Sequence, residues 1–295
     1  MGARHVASAV AVTAAAFALY CATLLPGFDF GDTASFQTVA GSPIISPRDG
    51  YPLYFAIAAL FLPVLGGDPA HALNLTTALE SAAACGLLTL LAAELSGSLV
   101  AGIAAGLLFA GSYTFWSQSV VAEVYGLHVL LVSLTLWLLL RWEARPTVTR
   151  LGIVLAAFSL GFGNHLSMIL LAPGITLFLL VSAPDGWRSM LRPRIVALAA
   201  AIAVGGALQY AWNLRTLWFE ASPPASLADA ITAAWFDITK ADWRETMVMS
   251  VPRTMLTDHA AMYLFDVRQQ FGWIGIALAV LGLGGLWSRR WRRGA

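Results

Sequence analysis

The chain has 295 residues, of which 59% are hydrophobic and only 11% charged, and its mean hydropathy is +0.74. This composition excludes an ordinary soluble globular protein and is typical of a helical protein that crosses a bilayer several times. The formal net charge is +1 at pH 7. We expect the lipid bilayer to be a partner of the chain and expect no nucleic-acid partner.

A spanning helix needs about 20 mostly apolar residues, and the pattern predicts an all-α polytopic membrane protein with about eight spans. In chain order these are residues 6–25, 69–91, 100–115, 123–140, 149–162, 166–181, 194–214 and 271–287. The apolar run 51–65 is shorter and contains Pro63. It is therefore predicted to be an interfacial or re-entrant helix that does not span.

The basic residues are sorted between the two sides of the membrane. If the run 51–65 does not span, 11 of the 17 basic residues fall on one side together with both termini. They are Arg4, Arg141, Arg145, Arg150, Arg188, Arg192, Arg194, Arg289, Arg290, Arg292 and Arg293. Lys and Arg concentrate on cytoplasmic loops, so both termini are predicted to be cytoplasmic.

Two extracytoplasmic segments follow from this topology within a single transmembrane domain, 1–295. Residues 26–67 form the first outer loop with its juxtamembrane helix, and residues 215–270 form a second, larger outer segment. The second contains Trp218, Trp235 and Trp243, and indole rings favour the headgroup zone. We expect it to cap the outer ends of the spans.

Two acids carry the strongest chemical signal. Asp32 follows the first span, where it could accept a proton, hold a cation or simply cap a short helix. Glu123 begins a span that otherwise lacks charge, with Tyr125 and His128 close behind it. Ionisable groups at the edge of a membrane bundle tend to line cavities, although an acid in a first helical turn is also favoured by the helix dipole.

Other polar residues are candidates for contacts with a phosphate or a sugar. Asn164 and His165 lie in an outer hairpin, where a tight turn explains Asn164 equally well. Arg215 ends a span on the outer side, and its guanidinium suits a phosphate, although it could also extend to the membrane interface. Arg48 and Asp49 are adjacent in the first outer loop and could merely pair with each other.

Several short motifs together resemble a known family. They are Gly31-Asp32-Thr33, Gly50-Tyr51-Pro52-Leu53-Tyr54, Phe115-Trp116-Ser117-Gln118, Ala122-Glu123-Val124-Tyr125 and Gly163-Asn164-His165. This ordered set resembles bacterial membrane glycosyltransferases of the GT-C type, which are similar to a protein O-mannosyltransferase of the eukaryotic endoplasmic reticulum. The chain departs from that pattern at Ala34-Ser35 and at Pro47-Arg48.

The resemblance implies a fold and an activity. The fold would be a GT-C-like bundle with juxtamembrane helices in the first outer loop. The activity would be transfer of a mannose-like hexose from a polyprenyl-phosphate carrier to a protein or glycan acceptor, outside a bacterial plasma membrane. An ion-coupled transporter or lipid flippase, or a non-catalytic glycosylation subunit, stays open as an alternative.

The resemblance also assigns residues to these steps. Asp32 and Glu123 are the expected catalytic acids, and they would hold a divalent cation, Mg²⁺ or Mn²⁺, if one is used. Contacts with the substrate or the lipid phosphate are expected from a larger set of side chains. These are Arg48, Asp49, Tyr54, Tyr125, His128, Asn164, His165 and Arg215.

Overall fold

A computed structural model of the protein describes residues 2–40, 42, 50–245 and 249–294. All regular structure in these residues is helical, which confirms the predicted all-α class. The helices are α1 Ala3–Ala22, α2 Gly31–Val39, α3 Pro52–Leu65, α4 Pro69–Ser96, α5 Leu99–Ala110, α6 Tyr113–Ser119, α7 Tyr125–Ala144, α8 Val148–Phe162, α9 Ala172–Ser182, α10 Pro193–Ala207, α11 Ala211–Thr216, α12 Leu227–Thr239, α13 Ala241–Arg244 and α14 Leu256–Gly294.

Fewer helices than predicted have the length of a membrane span. Within the described residues, five are long and apolar enough, and a sixth counts if the bent pair α5 and α6 is taken as one span. The other two predicted spans, α8 and Leu166–Ser182, are apolar but shorter. α8 has 15 residues, about 22 Å of helix against a hydrocarbon core of about 30 Å.

Two elements differ from the predicted boundaries. α3 is a 14-residue helix with Pro63 inside it, as expected for the apolar run of the first outer loop. α14 begins at Leu256, well before the predicted start at residue 271, and its backbone leaves the helical region at Gly272, where φ is 64°. α14 is therefore two helical segments joined at a kink.

α4 is the central helix of the bundle and contacts α1, α5 and α7. Asp68 caps its first turn by accepting a hydrogen bond from Ala70 N at 3.1 Å, and Pro69 occupies the first helical position. Gly97 ends the helix in the left-handed conformation. The core between α1, α4 and α5 is formed mainly by small residues with two aromatic rings, namely Val12, Ala16, Tyr20, Ala78, Ala82, Ala84, Cys85, Ala110 and Phe115.

Consecutive long helices run in opposite directions, so the bundle has two distinct ends. Arg141 at the end of α7 forms an ion pair with Glu94 at the end of α4, at 3.5 Å. At the opposite end, Leu25 N after α1 donates to the carbonyl of Val120 at 3.0 Å. Asp32 and Glu123 consequently lie at the same end of the bundle, away from the Arg141 end. Which end faces the cytoplasm stays a prediction from charge.

A close approach between α4 and α5 depends on Gly102. A Cβ atom at this position would lie 2.6 Å from the Thr89 carbonyl oxygen and 2.7 Å from Ala93 Cβ. Gly102→Ala is expected to push α5 away from α4 and to lower the free energy of unfolding by about 1–3 kcal/mol. The measurement is thermal unfolding of the purified protein in detergent. Gly205→Ala in α10, where nothing lies within 4 Å, is the control, and an equal loss in both variants would contradict the packing argument.

Candidate functional site

Buried amide groups attach the first outer loop to α4. Gln37 Nε2 donates to Asn74 Oδ1 at 2.9 Å and to the Gly27 carbonyl at 3.1 Å. Asn74 Nδ2 donates to the carbonyls of Leu25 at 2.9 Å and Gly27 at 3.1 Å. Both side chains are buried, so these bonds satisfy backbone groups that would otherwise lack partners. The pair fixes α2 against the start of α4.

Asp32 lies in the first turn of α2, just after a glycine turn. Gly31 has a φ of 66°, a conformation that suits glycine, and Phe30 occupies the N-cap position. Asp32 is therefore not the cap, although its carboxylate still lies near the positive end of the helix dipole. Its side chain is exposed. The acid is therefore accessible at this end of the bundle.

Glu123 lies between α6 and α7 and is held next to Asp32. Thr33 Oγ1 donates to Glu123 Oε1 at 3.1 Å, and Glu123 N donates to Thr77 Oγ1 at 3.4 Å. Burial raises the pKa of the Glu123 carboxyl above its ordinary value. The nearby charge of Asp32 also raises it, whereas the hydrogen bond from Thr33 acts in the opposite direction. The two acids singled out by the sequence are therefore brought together.

Aromatic rings form a wall beside the carboxylates. The Tyr51 ring stacks on His165, with centroids 6.0 Å apart and planes at 13°. The Tyr125 and His128 rings lie 5.9 Å and 5.1 Å from His165. His128 Nε2 and His165 Nδ1 both bond Ser167 Oγ, at 3.0 Å and 2.7 Å. Four side chains from α7, the start of α3 and the hairpin after α8 thus converge on one surface.

Lys240 joins this surface from a distant part of the chain. Its Nζ donates to Tyr51 Oη at 2.8 Å and lies 4.7 Å from the Tyr51 ring centroid. Its charge also acts on His165 and Tyr125. Lys240 follows α12 in the left-handed conformation, with φ of 48°. The sequence pattern does not single it out, and the signal that could have is that it is the only lysine of the chain.

The remaining predicted contact residues lie elsewhere or play other parts. Asn164 is fully buried and donates to the Val124 carbonyl at 3.0 Å, so it fixes the turn after α8. Tyr54 is fully buried against Thr77, which leaves its ring no surface for a substrate. Arg215 is exposed, and its guanidinium lies 5.0 Å from the Phe219 ring centroid. Arg48 and Asp49 lie outside the described residues.

A divalent cation at Asp32 and Glu123 was left open by the sequence. Mg²⁺ is usually held by one or two carboxylates together with substrate phosphates and water. In the part of the chain that the structure describes, no group of three or more His, Cys, Asp or Glu side chains is placed to hold a metal ion. The carboxylate pair would therefore complete such a site only with a bound phosphate, and we assign no reaction step to a metal.

Comparison with known proteins identifies the family. The family model for the protein O-mannosyl-transferase TMEM260 N-terminal domain matches residues 32–188, more than half of the 295 residues. The chain belongs to this family. The part of this chain that matches the family model begins at Asp32 and includes Glu123 and His165. It ends before Arg215 and Lys240. The predicted likeness to a protein O-mannosyltransferase family is confirmed.

A curated relative supports the same assignment over a limited length. The mouse protein O-mannosyl-transferase TMEM260 is 34% identical over 155 residues. The alignment covers 52% of this chain and 22% of the mouse protein, so most of that relative has no counterpart in the alignment. No solved structure matches the chain.

The histidine at the centre of the aromatic wall predicts a pH-dependent stability. Burial, together with the charges of His128 and Lys240, lowers the pKa of His165 from 6.5 to about 4. The unfolded chain therefore binds a proton at this residue between pH 6.5 and 4 that the folded chain does not, so stability falls as the pH drops through this window. His165→Gln should reduce the fall, measured as the thermal midpoint in detergent at each pH.

A matched control uses another histidine. His71 lies exposed in the first turns of α4, and His71→Gln should retain the pH dependence of the unsubstituted protein. If His165→Gln and the unsubstituted protein lose the same stability between pH 6.5 and 4, the neutral state assigned to His165 is wrong.

Proposed function

We propose that the chain is a glycosyltransferase that acts at the extracytoplasmic face of the plasma membrane. It would move a mannose-like hexose from a polyprenyl-phosphate carrier to a hydroxyl of a protein or glycan acceptor, outside the plasma membrane of a bacterium. Membership in the TMEM260 N-terminal domain family supports the reaction class. The single observation that carries the proposal is the Asp32 and Glu123 pair, which Thr33 joins at one end of the bundle.

The carboxylates have different environments, which suggests different parts in the reaction. Asp32 is exposed at the start of α2, so it can reach the hydroxyl of a large acceptor that approaches from water. Glu123 is half-buried and bonded to Thr33, so it positions the first turn of α2. In the proposed step the acceptor oxygen forms a bond to the anomeric carbon while Asp32 takes the hydroxyl proton.

The leaving group in this step is the carrier phosphate. The bond between the anomeric carbon and the phosphate oxygen breaks, and its electron pair remains on that oxygen. A cation held in place before the reaction stabilises such a developing charge. Lys240 is the cation that the described structure brings to the Tyr51 and His165 surface, whereas the Arg215 guanidinium packs on the Phe219 ring. We therefore propose Lys240 for the phosphate contact.

The aromatic wall suits the transferred sugar. Sugar rings carry apolar C–H faces, and the Tyr51 ring stacks on His165 while the Tyr125 ring lies tilted beside it, 5.9 Å away. His165 is neutral at neutral pH because its pKa is about 4, so it can exchange hydrogen bonds with sugar hydroxyls without adding charge. This arrangement would place the hexose between the carboxylates and Lys240.

Substitution of Asp32 and Glu123 distinguishes the proton acceptor from the positioning residue. Asp32→Asn removes the proton acceptor and is expected to lower kcat by about 100-fold to 10,000-fold. Glu123→Gln keeps an oxygen that accepts the Thr33 hydrogen bond, so it should lower kcat by a smaller factor. The assay measures release of polyprenyl phosphate from polyprenyl-phosphate mannose by the full chain in liposomes, together with labelled product.

The control for this assay is Asp229→Asn, an exposed acid of α12 outside the carboxylate pair. It should leave kcat unchanged. Unchanged rates in both Asp32→Asn and Glu123→Gln would remove the proposed mechanism, because both acids would then be dispensable.

Lys240 predicts a different kinetic signature. Lys240→Gln removes the positive charge that would bind the carrier phosphate, whose negative charge increases as the sugar leaves, so kcat should fall and KM for the donor should also rise. The measurement is a Michaelis series with polyprenyl-phosphate mannose at low and high salt. The loss should shrink at high salt if the lost interaction is electrostatic.

Two variants test whether the charge or the hydrogen bond matters. Tyr51→Phe keeps the ring and the lysine but removes the bond from Lys240 Nζ, whereas Arg244→Gln removes an exposed cation in neighbouring α13. A KM increase in Tyr51→Phe as large as in Lys240→Gln, or one in Arg244→Gln, would contradict the phosphate contact.

A further inference from the structure

A pocket lies at the end of the bundle opposite the carboxylates. It is formed where α7 ends, where α8 and α10 begin, and along the 3₁₀ helix Trp187–Leu191. Its cavity volume is about 120 Å³ and it is partly open to solvent, so it is smaller than the pockets of about 300–1,000 Å³ that enclose drug-sized ligands. α8 has 15 residues and runs about 22 Å from this pocket to the hairpin of His165. The pocket is therefore distinct from the proposed active site.

The floor of this pocket is apolar and rigidly packed. Trp142, Leu151 and Ile195 line it and belong to one buried hydrophobic cluster between α7, α8 and α10. Each of the three is less than a tenth exposed. A preformed apolar floor of this kind accepts the uncharged part of an amphiphilic molecule without first having to order itself.

The rim of the pocket is cationic. Arg192 and Arg194 line it with one acid, Asp185, which pairs with Arg192 at 3.2 Å. Arg194 has no ion-pair or hydrogen-bond partner among the residues that the structure describes. Two helices of 15 residues, α8 and α10, also begin at this rim, and their N-terminal N–H groups add positive potential. An anion entering the pocket would meet a free guanidinium at Arg194.

The segment beside the pocket has residues that are typical of a membrane interface. Trp187, at the start of the adjoining 3₁₀ helix, is 51% exposed and carries the Arg188 guanidinium 5.2 Å from its ring centroid. Exposed tryptophans with basic neighbours mark the membrane interface. Basic pockets between membrane helices bind phosphate-bearing headgroups.

We propose that this pocket binds the phosphate-bearing headgroup of an anionic membrane lipid. Arg194 and Arg192 bind the phosphate, and the first part of an acyl chain covers the apolar floor at Trp142 and Ile195. Free inorganic phosphate shares the charge but lacks the apolar portion, so it uses only the rim. The lipid is therefore the better ligand of the two.

Native mass spectrometry of the full chain in detergent tests the assignment. The protein is titrated separately with phosphatidylglycerol, phosphatidylcholine and inorganic phosphate. Phosphatidylglycerol should be retained in preference to the other two. Arg192→Gln and Arg194→Gln should each weaken its retention by about fivefold, as expected for one basic residue near an anionic lipid.

Arg4→Gln is the matched control. Arg4 is an exposed arginine at the same end of the bundle, at the start of α1, and it does not line the pocket. Its substitution should leave lipid retention unchanged. Thermal unfolding of each variant without added lipid shows whether the substitution has impaired folding. Arg194→Lys keeps the charge and should keep most of the lipid retention.

Three results would overturn the proposal. The first is equal retention of phosphatidylglycerol by the unsubstituted protein and by both arginine variants. The second is equal retention of phosphatidylcholine and phosphatidylglycerol, which would mean that the site does not recognise the net negative charge of the headgroup. The third is Arg194-dependent binding of inorganic phosphate without binding of the lipid, which would assign the rim to a free anion.

Discussion

The position of the carboxylates depends on a buried hydrogen-bonded amide pair. Gln37 and Asn74 bond to each other and donate to the backbone carbonyls of Leu25 and Gly27, which holds the chain after α1 against α4. An unpaired buried polar group costs about 1–3 kcal/mol, so the loop is bound where the two buried amides are satisfied. Because Thr33 and Asp32 lie one turn before Gln37, the same bonds set the position of the first acid beside Glu123.

The two ends of the bundle differ in chemistry, and the difference follows from the antiparallel order of the helices. At the carboxylate end, Asp32, Glu123, two histidines and one lysine lie beside aromatic rings. At the opposite end, arginines lie around the packed Trp142 side chain. Both proposed sites use a phosphate, one as the leaving group of a reaction and one as a lipid headgroup. The apolar bundle between them keeps these functions apart.

The placement of the two acids at one end of the bundle was predictable from the order of the spans. Asp32 comes after α1 and Glu123 comes before α7, so the alternation of spans places both at one end. Residues whose role depends on packing were not predictable in this way. Tyr54 and Tyr51 are three positions apart on the same motif, yet the first is buried in the core and the second carries the contact to Lys240. The number of full-length spans was overestimated because apolar composition does not reveal where a helix bends or stops.

The sequence by itself determined that the protein is helical and membrane-spanning, that its basic residues gather at one end, and that two acids share the other. Those properties depend on composition and on the order of apolar segments, both of which are local to the chain. Only the tertiary structure decided that Lys240 joins the acids, that Asn164 is a structural residue, and that Arg192 and Arg194 border a pocket. These outcomes depend on contacts between residues far apart in sequence, for which no local pattern exists.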